Sequence, residues 1–309
     1  MCATAHALAA VAAVSTSYAQ VAITGGIDFT LGYNAQTGND GSNKGINSTD
    51  AYISVSVKED MGGGVMAASY MDFNVDGAFQ GGAYGGDKTF SIASSTMSLT
   101  LANTRTGGTL GAVFMAPVVS FSDHWSTVNA SVMSRSAIDA LIVKATVAPG
   151  ASLSYKYLES GATGGTAPTA TVNVISAAYA AGALSVAGDY AMYSGAAFVG
   201  DVRTTKVTAN AIYDAGFAKV GLGYDGGAAG TGNSVTTGTS AGGVYFGIAA
   251  PLGATTVGLN YGKRDAASVT EVGAKYMLSK QTFVTGSYAY FDNALGKNDS
   301  YGLRLGHSF

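Results

Sequence analysis

Apolar and polar residues alternate strictly near the start of the chain. Between residues 21 and 33, a run of 13 residues, the odd positions are apolar, aromatic or glycine, and the even positions include Thr24, Asp28 and Thr30. A period of two is the pattern of a β-strand with two different faces. An ordinary strand has ~5–6 residues, whereas a tilted strand that crosses a bilayer needs ~9–11. The pattern therefore predicts a membrane-spanning strand with its apolar face towards lipid.

The same alternation recurs along the chain between groups of turn residues. Sixteen strands are predicted, at 21–33, 49–59, 65–74, 96–104, 109–116, 136–147, 151–158, 169–180, 184–194, 203–213, 217–224, 242–250, 254–264, 267–277, 281–291 and 299–309. Most connections alternate between tight turns and longer loops, which is typical of outer-membrane barrels. The expected fold class is all-β: a transmembrane antiparallel up-and-down β-barrel with 16 strands.

The composition agrees with a barrel and excludes other classes. Charged residues make up 11% of the 309 positions and hydrophobic residues 47%, whereas a soluble domain carries ~25% charge. No run of 18 apolar residues follows residue 19, so the backbone can be satisfied in lipid only by a closed barrel. The net charge of −3 does not suit a nucleic-acid binder. With the single cysteine Cys2, no disulfide, metal site or cofactor is expected.

Residues 1–19 are predicted to be a signal peptide, and residues 20–309 the barrel domain. Ala7–Val14 has the length of an apolar h-region, and Ser17 and Ala19 place small residues at the −3 and −1 positions of a cleavage site. The region before it contains His6 but no lysine or arginine, unlike the basic start of a signal peptide. An ordinary apolar N-terminal helix is the alternative.

The two ends of 20–309 carry a family resemblance. The segment after Ala19 reads QVAITGGIDFTLGYN, and the far end reads SYGLRLGHSF, an alternating strand that finishes on Phe309. With the order of strands and a long third loop, these segments resemble the Gram-negative general porins, in particular the 16-stranded trimeric porins of proteobacteria. The strand ending in Phe309 resembles the signal read by the outer-membrane assembly machinery.

The resemblance implies an outer-membrane channel of a Gram-negative bacterium, for passive diffusion of small hydrophilic solutes and ions. It implies a homotrimer among outer-membrane lipid and lipopolysaccharide, with the assembly machinery as a further partner. It also implies that the third long loop folds into the lumen, where acidic loop groups face basic wall groups. A structural or adhesin-type barrel is the alternative function. An outer-membrane hydrolase is disfavoured, because His307 is its only candidate catalytic group and lies at the periplasmic end.

Most charges on the predicted strands share the parity of the polar face. Because a lysine or arginine facing lipid at the midplane costs ~2–4 kcal/mol, these charges are expected to face the lumen. They are Asp28, Lys58, Asp72, Lys144, Lys156, Asp189, Lys206, Lys219, Arg264, Glu271, Lys275 and Arg304. For any single lysine, a solvated position near a rim is the alternative.

The third long connection, Pro117–Arg135, takes the place of the constricting loop. Asp123 and His124 are candidates for the loop side of the constriction, Trp125 would wedge the loop against the wall, and Arg135 lies where the loop ends. An extracellular loop with no role in the pore is the alternative. The wall departs from the family pattern, because the chain has only five arginines and the predicted strand 109–116 has none. Lysines would have to supply the positive side, so the sign of ion selectivity is left open.

Overall fold

The computed structural model describes residues 19–34, 45–74, 86–103, 109–119, 138–160, 170–194, 205–226, 242–264, 267–293 and 296–309. Sixteen strands in these ranges form one closed barrel. They are β1 (Gln20–Asn34), β2 (Gly45–Gly62), β3 (Val65–Asn74), β4 (Lys88–Ala93), β5 (Met97–Asn103), β6 (Ile138–Ala148), β7 (Ala151–Ser160), β8 (Ala170–Ala181), β9 (Leu184–Ser194), β10 (Thr205–Asp214), β11 (Lys219–Asp225), β12 (Gly243–Leu252), β13 (Thr255–Arg264), β14 (Ala267–Met277), β15 (Thr282–Asn293) and β16 (Gly296–Ser308).

Each strand pairs antiparallel with its neighbours in sequence, and β16 pairs with β1 to close the barrel. In this seam Gly26 lies opposite Ser308 and Thr30 lies opposite Arg304. Two backbone hydrogen bonds of 3.0 Å join Gly25 and Phe309 beyond the end of β16. Closure leaves no unpaired edge, as a barrel in lipid requires.

The two faces of the wall differ as the alternation predicts. On β1, Ile23, Phe29 and Leu31 are exposed on the outer face, whereas Asp28 and Thr30 are buried on the inner face. The remaining strands likewise turn large apolar side chains outwards, as a wall facing lipid does. The predicted fold class, a transmembrane antiparallel barrel of 16 strands, is confirmed.

Tight turns join strands at one end of the barrel. Glycines with positive φ occupy several of them, including Gly182 (φ 56°) and Gly253 (φ 65°), a conformation that side chains with a Cβ rarely adopt. The β4–β5 turn uses a hydroxyl instead, because the Ser94 Oγ accepts a hydrogen bond of 3.1 Å from the Met97 N–H. In outer-membrane barrels this short-turn end faces the periplasm.

One predicted strand is wrong and one strand was missed. Residues 109–116 do not enter the wall; Thr109–Val113 form a short 3₁₀ helix instead. The wall contains β4 in their place, whose Thr89 and Ser91 alternate with Phe90 and Ile92. The other fifteen predicted strands agree with the observed ones to within four residues. The third long connection therefore follows β5 and begins at residue 104, earlier than predicted.

No helix in the described residues is long and apolar enough to cross a membrane. The predicted signal peptide falls almost entirely on residues 1–18, which lie outside the described ranges, and so it stays a prediction.

Candidate functional site

Residues 109–119, called here the inner segment, lie against the inner face of the barrel wall. At its start, the Thr109 N–H donates a hydrogen bond of 3.1 Å to Asp189 Oδ2 of β9. The Thr109 hydroxyl lies 3.1 Å from the Thr208 hydroxyl of β10, and the Asn210 side-chain amide donates to the Thr109 carbonyl. Asp189, Thr208 and Asn210 all have the parity opposite to the exposed Tyr190 and Val207, so these anchors are on the inside.

Two further hydrogen bonds hold the other end of the inner segment. The Ala116 N–H donates to Asn260 Oδ1 of β13 at 3.0 Å, and the Val119 N–H donates to Ser287 Oγ of β15 at 2.7 Å. Asn260 is fixed in turn by donating to Glu271 Oε2 at 3.2 Å. The segment therefore runs along the inner wall from β9 to β15.

Apolar packing fills the space between these anchors. Leu110 and Val113 of the inner segment are fully buried against Tyr245, Val269 and Phe291 of the wall. The ring of Phe114 also packs edge-to-face on Tyr245, with centroids 5.6 Å apart. Sequence reasoning assigned the lumen to polar side chains, whereas apolar ones occur there wherever the wall is covered.

The structure places all twelve predicted lumen charges on the inner parity of their strands, in several different environments. Asp28 forms an ion pair with Arg304 across the β1–β16 seam. Lys206 pairs with Asp225 at 3.4 Å, and both side chains are almost completely buried. Lys219 pairs with Asp214 at 3.2 Å at the short-turn end, where both are exposed. Asp189 anchors the inner segment directly, and Glu271 does so through Asn260.

The remaining predicted charges are Lys58, Asp72, Lys144, Lys156, Arg264 and Lys275. Asp72 accepts a long hydrogen bond of 3.5 Å from the Tyr70 hydroxyl, and the Lys275 ammonium lies 3.8 Å from the centroid of the Phe283 ring. Arg264 lies close enough to Lys206 to repel it. These contacts place Asp72, Lys275 and Arg264 among other inner-wall side chains.

Lys144 and Lys156 share one patch of the inner wall. Lys144 lies opposite Ser154, and Lys156 lies opposite Ile142, so the two lysines are diagonal neighbours on β6 and β7. Such diagonal positions are ~7–8 Å apart. Within the described ranges neither lysine has a carboxylate within ion-pair distance. These strands lie outside the arc from β9 to β15 along which the inner segment is anchored.

Asp123, His124, Trp125 and Arg135 lie outside the described residues, so their part in a constriction stays a prediction. The sequence analysis missed the anchors Asn210, Asn260 and Ser287. Each is a polar residue at an inner position, but hydrogen bonding to a distant segment leaves no local signal. Among the described residues no group of three or more His, Cys, Asp or Glu side chains could hold a metal ion.

A closed barrel with an apolar outside, charges inside and a segment folded along its inner wall defines a transmembrane β-barrel channel. The family model described as Gram-negative porin matches residues 3–295. The chain belongs to that family and forms a channel in the outer membrane. The predicted family, location and channel function are confirmed.

Solved structures share the same architecture. A triple mutant of Rhodopseudomonas blastica porin is similar with a TM-score of 0.70 at 18% identity, and a double mutant with a TM-score of 0.69 at 17% identity. Each alignment covers 94% of this chain and 100% of the porin. At this identity the similarity shows the fold alone. No curated protein sequence matches the chain.

Proposed function

We propose that the protein is a passive channel for small hydrophilic solutes and ions whose narrowest part is bounded by the connection 104–137 on one side. The observation that carries this proposal is the path of the inner segment along β9 to β15, because it occupies lumen that sixteen strands would otherwise leave open. A narrowed, water-filled passage selects solutes by size and by the charges on its rim.

The wall on the other side would supply positive charge. Lys144 and Lys156 have no compensating carboxylate among the described residues, and field lines concentrate in a narrow opening with low-dielectric walls. We propose Asp123 and His124 for the opposing side, with Trp125 packing the loop against the wall and Arg135 at the end of the loop. Opposite charges that face each other across the passage create a transverse electric field, which orients polar solutes. An apolar solute is rejected because it displaces ordered water without gaining a dipole interaction with that field.

A homotrimer is the proposed assembly. On the outer face a shallow cavity runs along the seam of β15, β16 and β1, with Leu31, Tyr301 and Leu303 around it and Gly286 in its floor. Because glycine has no side chain and the residues around it are apolar, the wall of another subunit can approach closely at this cavity. Native mass measurement in mild detergent tests this assembly, and a monomeric mass would contradict it.

The remaining proposals concern the lipid around the barrel and its delivery to the membrane. We propose contact with outer-membrane lipid and lipopolysaccharide through the exposed apolar band, and delivery by a signal peptide over residues 1–19. We also propose recognition of the strand ending at Phe309 by the assembly machinery. Phe309 is largely exposed on the outer face, where a partner can reach it.

Single-channel recording in planar bilayers tests the channel itself. We expect purified protein to give discrete, ohmic conductance steps, and liposomes containing it to swell in small sugars but not in large ones. A structural or adhesin-type barrel would give a folded, heat-modifiable band on gels with neither conductance nor swelling, and that result would refute the proposal.

A further inference from the structure

Glycines line the part of the wall that the inner segment crosses. Gly221 of β11 lies opposite Gly247 of β12, and Gly258 of β13 lies opposite Gly273 of β14. All four have inner parity, and none has a left-handed φ. Their backbones would therefore accept other residues, and glycine weakens a strand unless another backbone approaches closely.

The inner segment occupies the space that side chains at these positions would need. A Cβ at Gly247 would overlap the Val113 carbonyl oxygen and lie 2.9 Å from its carbonyl carbon. At Gly273 it would overlap the Pro117 carbonyl oxygen in the same way, again with the carbonyl carbon at 2.9 Å. Ordinary contact begins at 3.4 Å, so the backbone of the inner segment rests directly on the backbone of the wall.

The other two glycines complete the track. A Cβ at Gly258 would lie 2.6 Å from the Ile248 carbonyl oxygen of the neighbouring strand and 2.7 Å from Ala116 Cα, and one at Gly221 would lie 2.7 Å from the terminal methyl group of Met115. The nearest contact at Gly221 is with the end of a flexible side chain, which can move away, and the next is with Val113 Cα at 3.2 Å. The contacts at Gly247 and Gly273 are with peptide groups, which cannot move without moving the segment.

We propose that Gly221, Gly247, Gly258 and Gly273, the glycine track, are the specificity-determining residues that set the width of the pore. By letting the inner segment lie flush with the wall, they leave the largest free cross-section that the barrel allows. The inference rests on the proposed channel function and adds the residues that define its size limit.

The pore becomes narrower if the inner segment moves, rather than the wall, when a side chain is added at these positions. Each glycine is held by strands hydrogen-bonded on both sides, whereas the inner segment is held at separate points. A methyl group at Gly247 or Gly273 therefore displaces the segment into the lumen. Gly221→Ala has a weaker effect, because Met115 can change rotamer.

The test is single-channel conductance and the sugar size limit of Gly247→Ala and Gly273→Ala. The matched control is Gly188→Ala, on the outward face of β9, where a Cβ meets only the Thr208 carbonyl oxygen at 3.3 Å and Ala209 Cβ at 4.0 Å. We expect a loss of conductance and a smaller size limit in the first two variants and wild-type values in the control. Wild-type conductance and size limit in both track variants would overturn the proposal.

A cross-link covers the case in which the alanine variants fail to fold. In a Cys2→Ser background, Thr109→Cys and Thr208→Cys would place two sulfur atoms where hydroxyl oxygens lie 3.1 Å apart, and neither change touches the glycine track. We expect oxidation to cross-link this pair in the folded protein, but not Thr109→Cys with Gly286→Cys. Absence of the first cross-link would overturn the proposal. Because this readout needs no ion flow, a barrel that cross-links but never conducts would refute the channel function and not the seating of the segment.

Discussion

Replacing Asp225 with asparagine is expected to destabilise the barrel strongly. The Lys206 ammonium lies 3.4 Å from the Asp225 carboxylate, and the two side chains are 1% and 0% exposed. The positive charge of Arg264 also acts on Lys206, so Asp225→Asn removes the carboxylate that offsets this buried ammonium. Removing one partner of a buried pair costs ~3–5 kcal/mol, and we expect a loss of this size in the free energy of unfolding.

Two further variants serve as controls for this measurement. Lys219→Met breaks the pair with Asp214, whose side chains are 60% and 44% exposed, and it should cost only ~0–1 kcal/mol. Replacing Lys206 with methionine and Asp225 with leucine together removes both charges and should recover most of the loss, since buried pairs are often no better than apolar packing.

Denaturant unfolding in detergent micelles, followed by the shift between folded and unfolded bands on gels, compares these variants. If Asp225→Asn unfolds within ~1 kcal/mol of Lys219→Met, the pair behaves as an exposed one, and the burial of Lys206 is refuted. If the double variant is no more stable than Asp225→Asn, the loss comes from packing and not from an unpaired charge.

Three further outcomes are expected. Lys144→Gln with Lys156→Gln should move the reversal potential in a salt gradient towards cation preference, more at 0.01 M salt, where the Debye length is ~30 Å; an unchanged potential would mean that these lysines do not border the passage. Asp123→Asn should move the potential towards anion preference, and no shift at either ionic strength would remove Asp123 from the constriction. Deleting Phe309 should lower outer-membrane yield more than stability, because its ring is 57% exposed and full burial is worth only ~1.5–3 kcal/mol; equal yields would argue against a recognition role.

The wall could be predicted from the sequence because lipid and water impose a period of two on every strand. Fifteen strands followed from this pattern, since register in a wall with two unlike faces is visible in each strand alone. The short strand β4 shows the same alternation, with Phe90 and Ile92 between Thr89 and Ser91. It was missed because the prediction left residues 75–95 without a strand.

The interior could not be predicted in the same way. Leu110, Val113 and Phe114 are apolar on more than one side, which suits a segment buried inside the barrel better than a strand with a polar face. Their partners are more than a hundred residues away in sequence, on β12, β14 and β15, and nothing local at Tyr245 or Val269 indicates them. The inner-face charges were predictable by parity, whereas the burial of Lys206 depends on packing that a single strand does not encode.

The path of the inner segment also has a mechanical consequence. The hydrogen bonds described for it join β9, β10, β13 and β15 from within, so that arc of the wall is braced against changes of curvature. Thermal deformation of the cross-section should therefore concentrate in strands beyond this arc, among them β1, β2 and β16. The proposed subunit contact at β1 and β16 would support the wall from outside, beyond the reach of the internal brace. The oligomer would then stiffen the part of the ring that the inner segment leaves compliant.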